Sequence, residues 1–208
     1  MDTGDGPRPG LRERKKQETR IALSWAAIRL TVERGFDNVR VEDIAAEAGV
    51  SPRTFNNYFA SKGEAIAARQ LERARVIAEE LRNRPADEPL WEAITNATLA
   101  RFALGAAERG TTDQQQWVEG VRLMVSEPAL QGEFLKASAA MEDEFASVIA
   151  ERTGTDVETD IYPKLVARAV TGAIAVCVEH WLRNERPGSV ADLLREALAR
   201  LAAGLPTP

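Results

Sequence analysis

Apolar residues recur every three to four positions along most of this chain, which is the spacing of amphipathic helices rather than of strands. Ile21, Ala22, Trp25, Ala26, Ile28, Leu30 and Val32 give a first helix its buried side to about Arg34. Gly35 ends that helix and Phe36 tucks back beneath it. Val41, Ile44, Ala45 and Ala48 mark a short second helix, stopped by Gly49, with Val50 turned into the core. Ser51 and Pro52 open a third, as an N-cap hydroxyl followed by the helical position where proline is tolerated. Phe55 and Phe59 lie one turn apart and anchor it inward. Ser61 and Lys62 then begin a long helix that runs to about Asn83 through Ala65, Ile66, Leu71, Ile77 and Leu81. The stretch from Arg84 to Pro89 breaks it.

Five more helices follow the break. Leu90 to about Gly105 carries Trp91, Ile94, Leu99 and Phe102, and Asp113 to Glu127 carries Trp117, Val121 and Met124. From Pro128, the positions Leu130, Phe134, Ala137, Met141, Phe145 and Val148 form one apolar stripe. A turn over Gly154 to Asp160 leads to the most apolar segment, Ile161 to about Asn184, and the last helix runs from Ser189 to Ala203. The pattern predicts an all-α fold of about nine helices. Residues 1–10, rich in Gly, Pro and Asp, form a disordered tail. Residues 11–60 form a three-helix head and 61–208 a helical body, with no glycine- or serine-rich linker between them. The two final helices are apolar over more surface than one subunit can cover, so a homodimer through 161–184 and 189–203 is expected.

On the third helix Arg53, Thr54, Asn56, Asn57 and Tyr58 point away from the aromatic pair. Arginine suits guanine O6 and N7 and asparagine suits adenine, so this exposed set is furnished to read base edges in the major groove. The layout is that of a helix-turn-helix. Charge agrees once it is split: residues 8–62 hold 11 Lys and Arg against 7 Asp and Glu, while the chain as a whole stands at −5. A basic head on an acidic body concentrates phosphate attraction in one place. Leu11 to Lys16 form a basic arm leading into the first helix, and Lys15, Lys16 and Arg20 are candidates for the DNA backbone or minor groove, with a merely solvated arm as the alternative.

One cysteine, Cys177, and one histidine, His180, leave no disulfide framework or His/Cys zinc site within a chain, and no metal or cofactor is expected. No Ser-His-Asp set or phosphate-cradling glycine loop is present, so the chain is not expected to be an enzyme. No uninterrupted apolar run is long enough for a membrane span, and a cytoplasmic protein without a membrane partner is expected.

The stretch VRVEDIAAEAGVSPRTFNNYFASK (Val39 to Lys62) resembles the TetR family of bacterial transcriptional regulators, through its VEDIA, AGVS, TFNNYF and SKGEA segments. The resemblance implies an N-terminal DNA-binding head, a ligand-binding body, and dimerisation through the last two helices. It assigns phosphate contacts to Ser51, Thr54, Tyr58 and Lys62. Arg40 stands where the family usually has a threonine that opens the motif's first helix; it is a candidate phosphate contact without the hydroxyl cap. Asn56 replaces a common tyrosine, which implies a different operator. The body is similar to the branch of the mycofactocin-system regulator, through RLMVSEPALQGEFL, IAERTGTD and WLRNERPGSVADLLREAL, a branch associated with acyl-CoA-like ligands.

The candidate effector cavity is lined by Trp91, Phe102, Trp117, Met124, Phe134, Met141 and Trp181, with Arg101, Arg122 and Arg168 as cations for an anionic group. The expected function is a ligand-responsive regulator, a repressor released from a near-palindromic double-stranded operator by a hydrophobic small molecule such as a long-chain acyl-CoA. A lipophilic drug-like effector is the alternative within this class. A helical adaptor without DNA binding is the alternative outside it, and it leaves the exposed Arg-Thr-Asn-Asn set unexplained.

Overall fold

Helical periodicity in the sequence becomes eight α-helices, with no strand among the described residues. The computed structural model describes residues 10–107, 122–123, 127–183 and 189–207, apart from the side chains of 11, 70, 73 and 101–107. The helices are α1 (Leu11–Arg34), α2 (Val41–Glu47), α3 (Pro52–Asn56), α4 (Lys62–Asn83), α5 (Leu90–Ala107), α6 (Gln131–Thr153), α7 (Ile161–Arg183) and α8 (Val190–Ala202). The helix expected over Asp113 to Glu127 lies largely outside the described residues, as do residues 1–9 of the expected tail.

The basic stretch expected to lead into α1 is already helical, with ion pairs Lys16–Glu13 at 3.7 Å and Arg14–Glu18 at 3.6 Å along its surface. The buried side of α1 is Leu23, Ala26, Ala27, Ile28, Leu30 and Thr31, whereas Ala22 and Val32 face outward. Thr31 tolerates burial because its hydroxyl donates to Ala27 O at 2.7 Å, the reason its polar type hid it from an apolar pattern. Arg29 reaches Glu47 at 2.5 Å and ties α1 to α2.

Head and body do not have separate cores. One cluster runs from Leu23, Ile44, Phe55 and Phe59 through Ile66, Ile77 and Leu81 of α4 to Phe145, Ile149, Val170 and Leu198. Helix α4 is the shared element, packed against α1, α5 and α6. Both its ends are fastened. At the start, Ser61 Oγ accepts the Glu64 N–H at 3.0 Å while the Glu64 carboxylate accepts the Ala60 N–H at 2.7 Å, a reciprocal cap. At the far end, the Arg152 guanidinium of α6 donates to the carbonyls of Leu81 (3.2 Å), Arg84 (3.0 Å), Pro85 (2.8 Å) and Glu88 (3.2 Å). Leu81 O and Pro85 O also accept the backbone N–H groups of Arg84 (3.4 Å) and Glu88 (3.2 Å), so the guanidinium adds a second partner to a helix end and its connection. Arg84 also holds Glu88 through two bonds of 2.6 Å, and Asn96 donates to the same carboxylate at 2.7 Å.

Candidate DNA-binding surface and effector site

The turn between α2 and α3 is built as the sequence indicates. Gly49 takes a left-handed φ of 69°, the Val50 N–H donates to Ala45 O at 2.9 Å, and the Gly49 N–H donates to Ala46 O at 3.1 Å. These two bonds close α2 in a Schellman motif. At the other end of α2, the Asp43 carboxylate accepts the Arg40 N–H at 2.9 Å. The Arg40 side chain is exposed at the N-cap, where it supplies no acceptor.

Ser51 opens α3 by accepting the Thr54 N–H at 3.1 Å, and the two hydroxyls lie 2.9 Å apart. Phe55 and Phe59 are buried with ring centroids 5.7 Å apart. Beyond Asn56 the chain tightens, the Tyr58 N–H donating to Phe55 O at 2.8 Å, so α3 is shorter than the motif alone indicates. Arg53, Asn56 and Asn57 are exposed together. Thr54 is half-buried, and Tyr58 is half-buried against the core rather than fully outward.

Lys62 has work inside the chain. Its ammonium donates to Phe36 O at 2.5 Å and Val39 O at 3.0 Å and lies 4.1 Å from the centre of the Phe36 ring. Two of its three donors are thus spent on the α1–α2 connection, which leaves one for a phosphate. No local motif announces this tie; it needs residues 36, 39 and 62 together. Arg20 is also engaged, its guanidinium 4.7 Å from the centre of the Phe59 ring.

In the body, Met141 is buried, and Trp91 and Phe134 are half-buried against the core. Trp181 is half-buried and Arg122 exposed. The side chains of Arg101, Phe102, Trp117 and Met124 lie outside the described residues. Arg168, a candidate cation for an anionic group or a glutamate, pairs with Glu142 at 3.0 Å on the exposed side of α7, because that face of the helix looks outward. Cys177 is buried, its thiol donating to Leu193 O at 3.4 Å and its pKa raised by burial, so it packs against α8. Sequence reading missed Thr98, whose hydroxyl is buried without a hydrogen-bond partner among the described residues. Nearby Thr95 follows the usual pattern by donating to Trp91 O at 2.7 Å.

Apolar side chains on α7 remain open to solvent: Ile161 (79 % exposed), Leu165 (59 %) and Val176 (65 %) follow one another at helical spacing on one face. The opposite face, with Val166, Val170, Ile174 and Cys177, is buried in the body. By length and mean hydropathy (1.5) α7 meets the measure of a bilayer span, although Lys164 and Arg168 interrupt its apolar run. On α8 most apolar surface is covered by the subunit itself, with Leu194 and Leu198 fully buried and Leu193 and Leu201 partly so.

Two stretches of the chain match known protein families. Residues 25–68 match the family described as bacterial regulatory proteins, tetR family. Residues 88–206 match the MftR C-terminal domain. The chain belongs to the TetR family. Among TetR-family relatives, the HTH-type transcriptional regulator TcmR of Streptomyces glaucescens is 33 % identical over 181 residues, 83 % of this chain and 77 % of that protein. The putative mycofactocin biosynthesis transcriptional regulator MftR of Mycobacterium tuberculosis is 29 % identical over 195 residues, 92 % of this chain and 93 % of that one. The fold is shared with the Thermus thermophilus TetR-family repressor FadR in complex with lauroyl-CoA, at a TM-score of 0.59 and 20 % identity, over 91 % of this chain and 96 % of that one. The chain is thus a TetR-family transcriptional regulator, with a DNA-binding helix-turn-helix at its N-terminus.

Proposed function

We propose that this regulator is a cytoplasmic homodimeric repressor that holds a near-palindromic operator and releases it when a hydrophobic effector, with a long-chain acyl-CoA as the leading candidate, enters the body. One observation carries the reading: the exposed Arg53, Asn56 and Asn57 on a capped α3, joined through α4 to the body without a flexible linker. Arg53 reads guanine, and Asn56 and Asn57 read adenine. Ser51, Thr54, Tyr58, Arg40 and the remaining Lys62 donor set the register on phosphates. The exposed face of α7 meets its twofold mate, with α8 beside it, and places the two α3 helices about one DNA turn or a multiple apart, roughly 34–36 Å for adjacent turns.

The effector lies among Trp91, Phe134 and Met141, with Thr98 supplying the polar handle for a carbonyl oxygen. The acyl-CoA candidate draws support from the match to the MftR C-terminal domain and from the fold shared with a FadR bound to lauroyl-CoA. Release requires that the effector bind the DNA-incompetent arrangement better than the competent one. A preference of about 100-fold per dimer supplies roughly 2.7 kcal/mol, enough to empty most operators.

The test is selection of DNA by the purified protein, then titration of the complex with palmitoyl-CoA, free palmitate and lipophilic cations. Arg53→Ala should cost about 1–3 kcal/mol in operator affinity and relax specificity at one base. Unchanged affinity in Arg53→Ala sinks the reading role of α3. A complex that none of the compounds dissociates sinks the effector, and release by the cations alone moves it to a drug-like class.

A further inference from the structure

A cleft of about 370 Å³ opens where the head meets the body. One wall is Arg20 of α1 with Ala60 and Ser61 from the joint that leads into α4; the other is Glu133 and Lys136 of α6. Its floor is made of small side chains, Ala67 and Ala68 on α4 and Ala137 and Ala140 on α6, with Leu71 at its edge. At Gly63 the two helices approach so closely that an added Cβ would stand 3.2 Å from the Glu133 Cγ and 3.4 Å from the Leu130 Cδ2. The space is therefore held open by alanines beside a tight crossing.

The charged groups facing this cleft are Arg20, Glu64, Glu133 and Lys136, and three of them are already matched. Lys136 pairs with Glu133 at 3.3 Å. Glu64 sits at the N-terminus of α4, holding the Ala60 N–H at 2.7 Å, where the helix dipole favours its charge. Arg20 is half-buried and rests on the Phe59 ring, with no ion pair among the described residues. A guanidinium carbon 4.7 Å from a ring centre is held by cation–π attraction, which uses none of its N–H donors and leaves them to take a phosphate or carboxylate through two parallel bonds.

We propose that this junction cleft is the anion-holding subsite of the effector, in which Arg20 receives a phosphate or carboxylate and the alanine floor takes the slender apolar segment beside it. At about 370 Å³ it lies low in the range of pockets for drug-sized ligands, so it takes one end of a long effector and not the whole. The inference rests on the ligand-responsive reading above. It also gives that reading a route: the walls belong to the head on one side and the body on the other, so occupancy changes how the head is set without crossing the core.

The test measures binding of palmitoyl-CoA and of palmitate to the full chain without DNA, by calorimetry, for the unaltered protein, Arg20→Gln and Ala140→Phe. Ala140 is exposed, so a phenylalanine there fills the cleft without entering the core; thermal melting identifies any variant that fails to fold, and the other then decides. Both substitutions should weaken palmitoyl-CoA binding by about tenfold or more, the worth of a charge-assisted bidentate contact. A loss confined to palmitoyl-CoA assigns a phosphate to Arg20, and an equal loss for palmitate assigns a carboxylate; either upholds the subsite. Unchanged affinity in both variants overturns it and leaves the effector reading standing. If the unaltered protein binds palmitate but not palmitoyl-CoA, with palmitate indifferent to both substitutions, the subsite falls alone. If it binds neither, the fatty-acyl effector falls and the subsite with it.

Discussion

At the scale of single residues, polar side chains hold this protein's joints while apolar ones fill them. Lys62 is the clearest case. Two backbone carbonyls depend on its ammonium, and both belong to the short connection that positions α2. Lys62→Ala leaves Val39 O unpaired and Phe36 O with only the Val39 N–H at 3.4 Å, a loss of about 1–3 kcal/mol. The DNA-free protein should then melt roughly 2–4 °C lower for each kcal/mol lost. An unchanged melting temperature would show that the tie carries no weight and would return Lys62 wholly to the DNA. The sequence places Ser51, Phe55 and Phe59 correctly because each obeys a local rule: a cap beside a proline, or two aromatics one turn apart. Nothing local points to Lys62 or Arg20, whose partners stand 26 and 39 positions away.

Helix boundaries were legible for a similar reason, since caps, glycines and prolines are local signals. The long helix expected from Ser61 and Lys62 to about Asn83 is α4, and the turn at Gly154 ends α6 with a left-handed φ of 66°. Outward and inward faces were less legible, because a stripe is selected by what covers it; on α1 it begins at Leu23 and leaves Ala22 outside. The connection from α4 to α5 also carries a pH dependence. The Arg84 guanidinium, helped by the Asn96 amide, holds the Glu88 carboxyl down at about 2. A carboxyl whose folded pKa lies below its unfolded one stabilises fully above the unfolded value and loses that contribution as pH falls through the folded one. The window therefore opens near the ordinary glutamate pKa, about 4.3, and closes near 2. Melting temperatures of the unaltered protein and Glu88→Gln should differ at neutral pH and converge in that window. A constant gap across it would remove Glu88 as the cause.

For the molecule as a whole, the sequence could show that α7 is apolar nearly all round but not which half its own subunit covers. The structure divides it, leaving Ile161, Leu165 and Val176 on one open face. Val176→Glu places a charge in the centre of the proposed dimer contact, where burial without a partner is costly. Light scattering should give a monomer mass for this variant at micromolar concentration, with operator affinity falling alongside. A dimer that persists would move the interface elsewhere. The junction cleft was invisible to any reading of the sequence, since its walls come from three separated segments and its emptiness from alanines that pattern as core. The Arg152 clamp has a mechanical consequence for the proposed dimer. By fastening the far end of α4 to α6, it makes that end a fulcrum. A helix of 22 residues is a lever about 33 Å long, so a tilt of about 5° carries its Lys62 end through about 3 Å. Two heads swinging apart in the proposed dimer would open by about 6 Å, nearly two base-pair steps of misregister if the half-sites lie one turn, roughly 34–36 Å, apart.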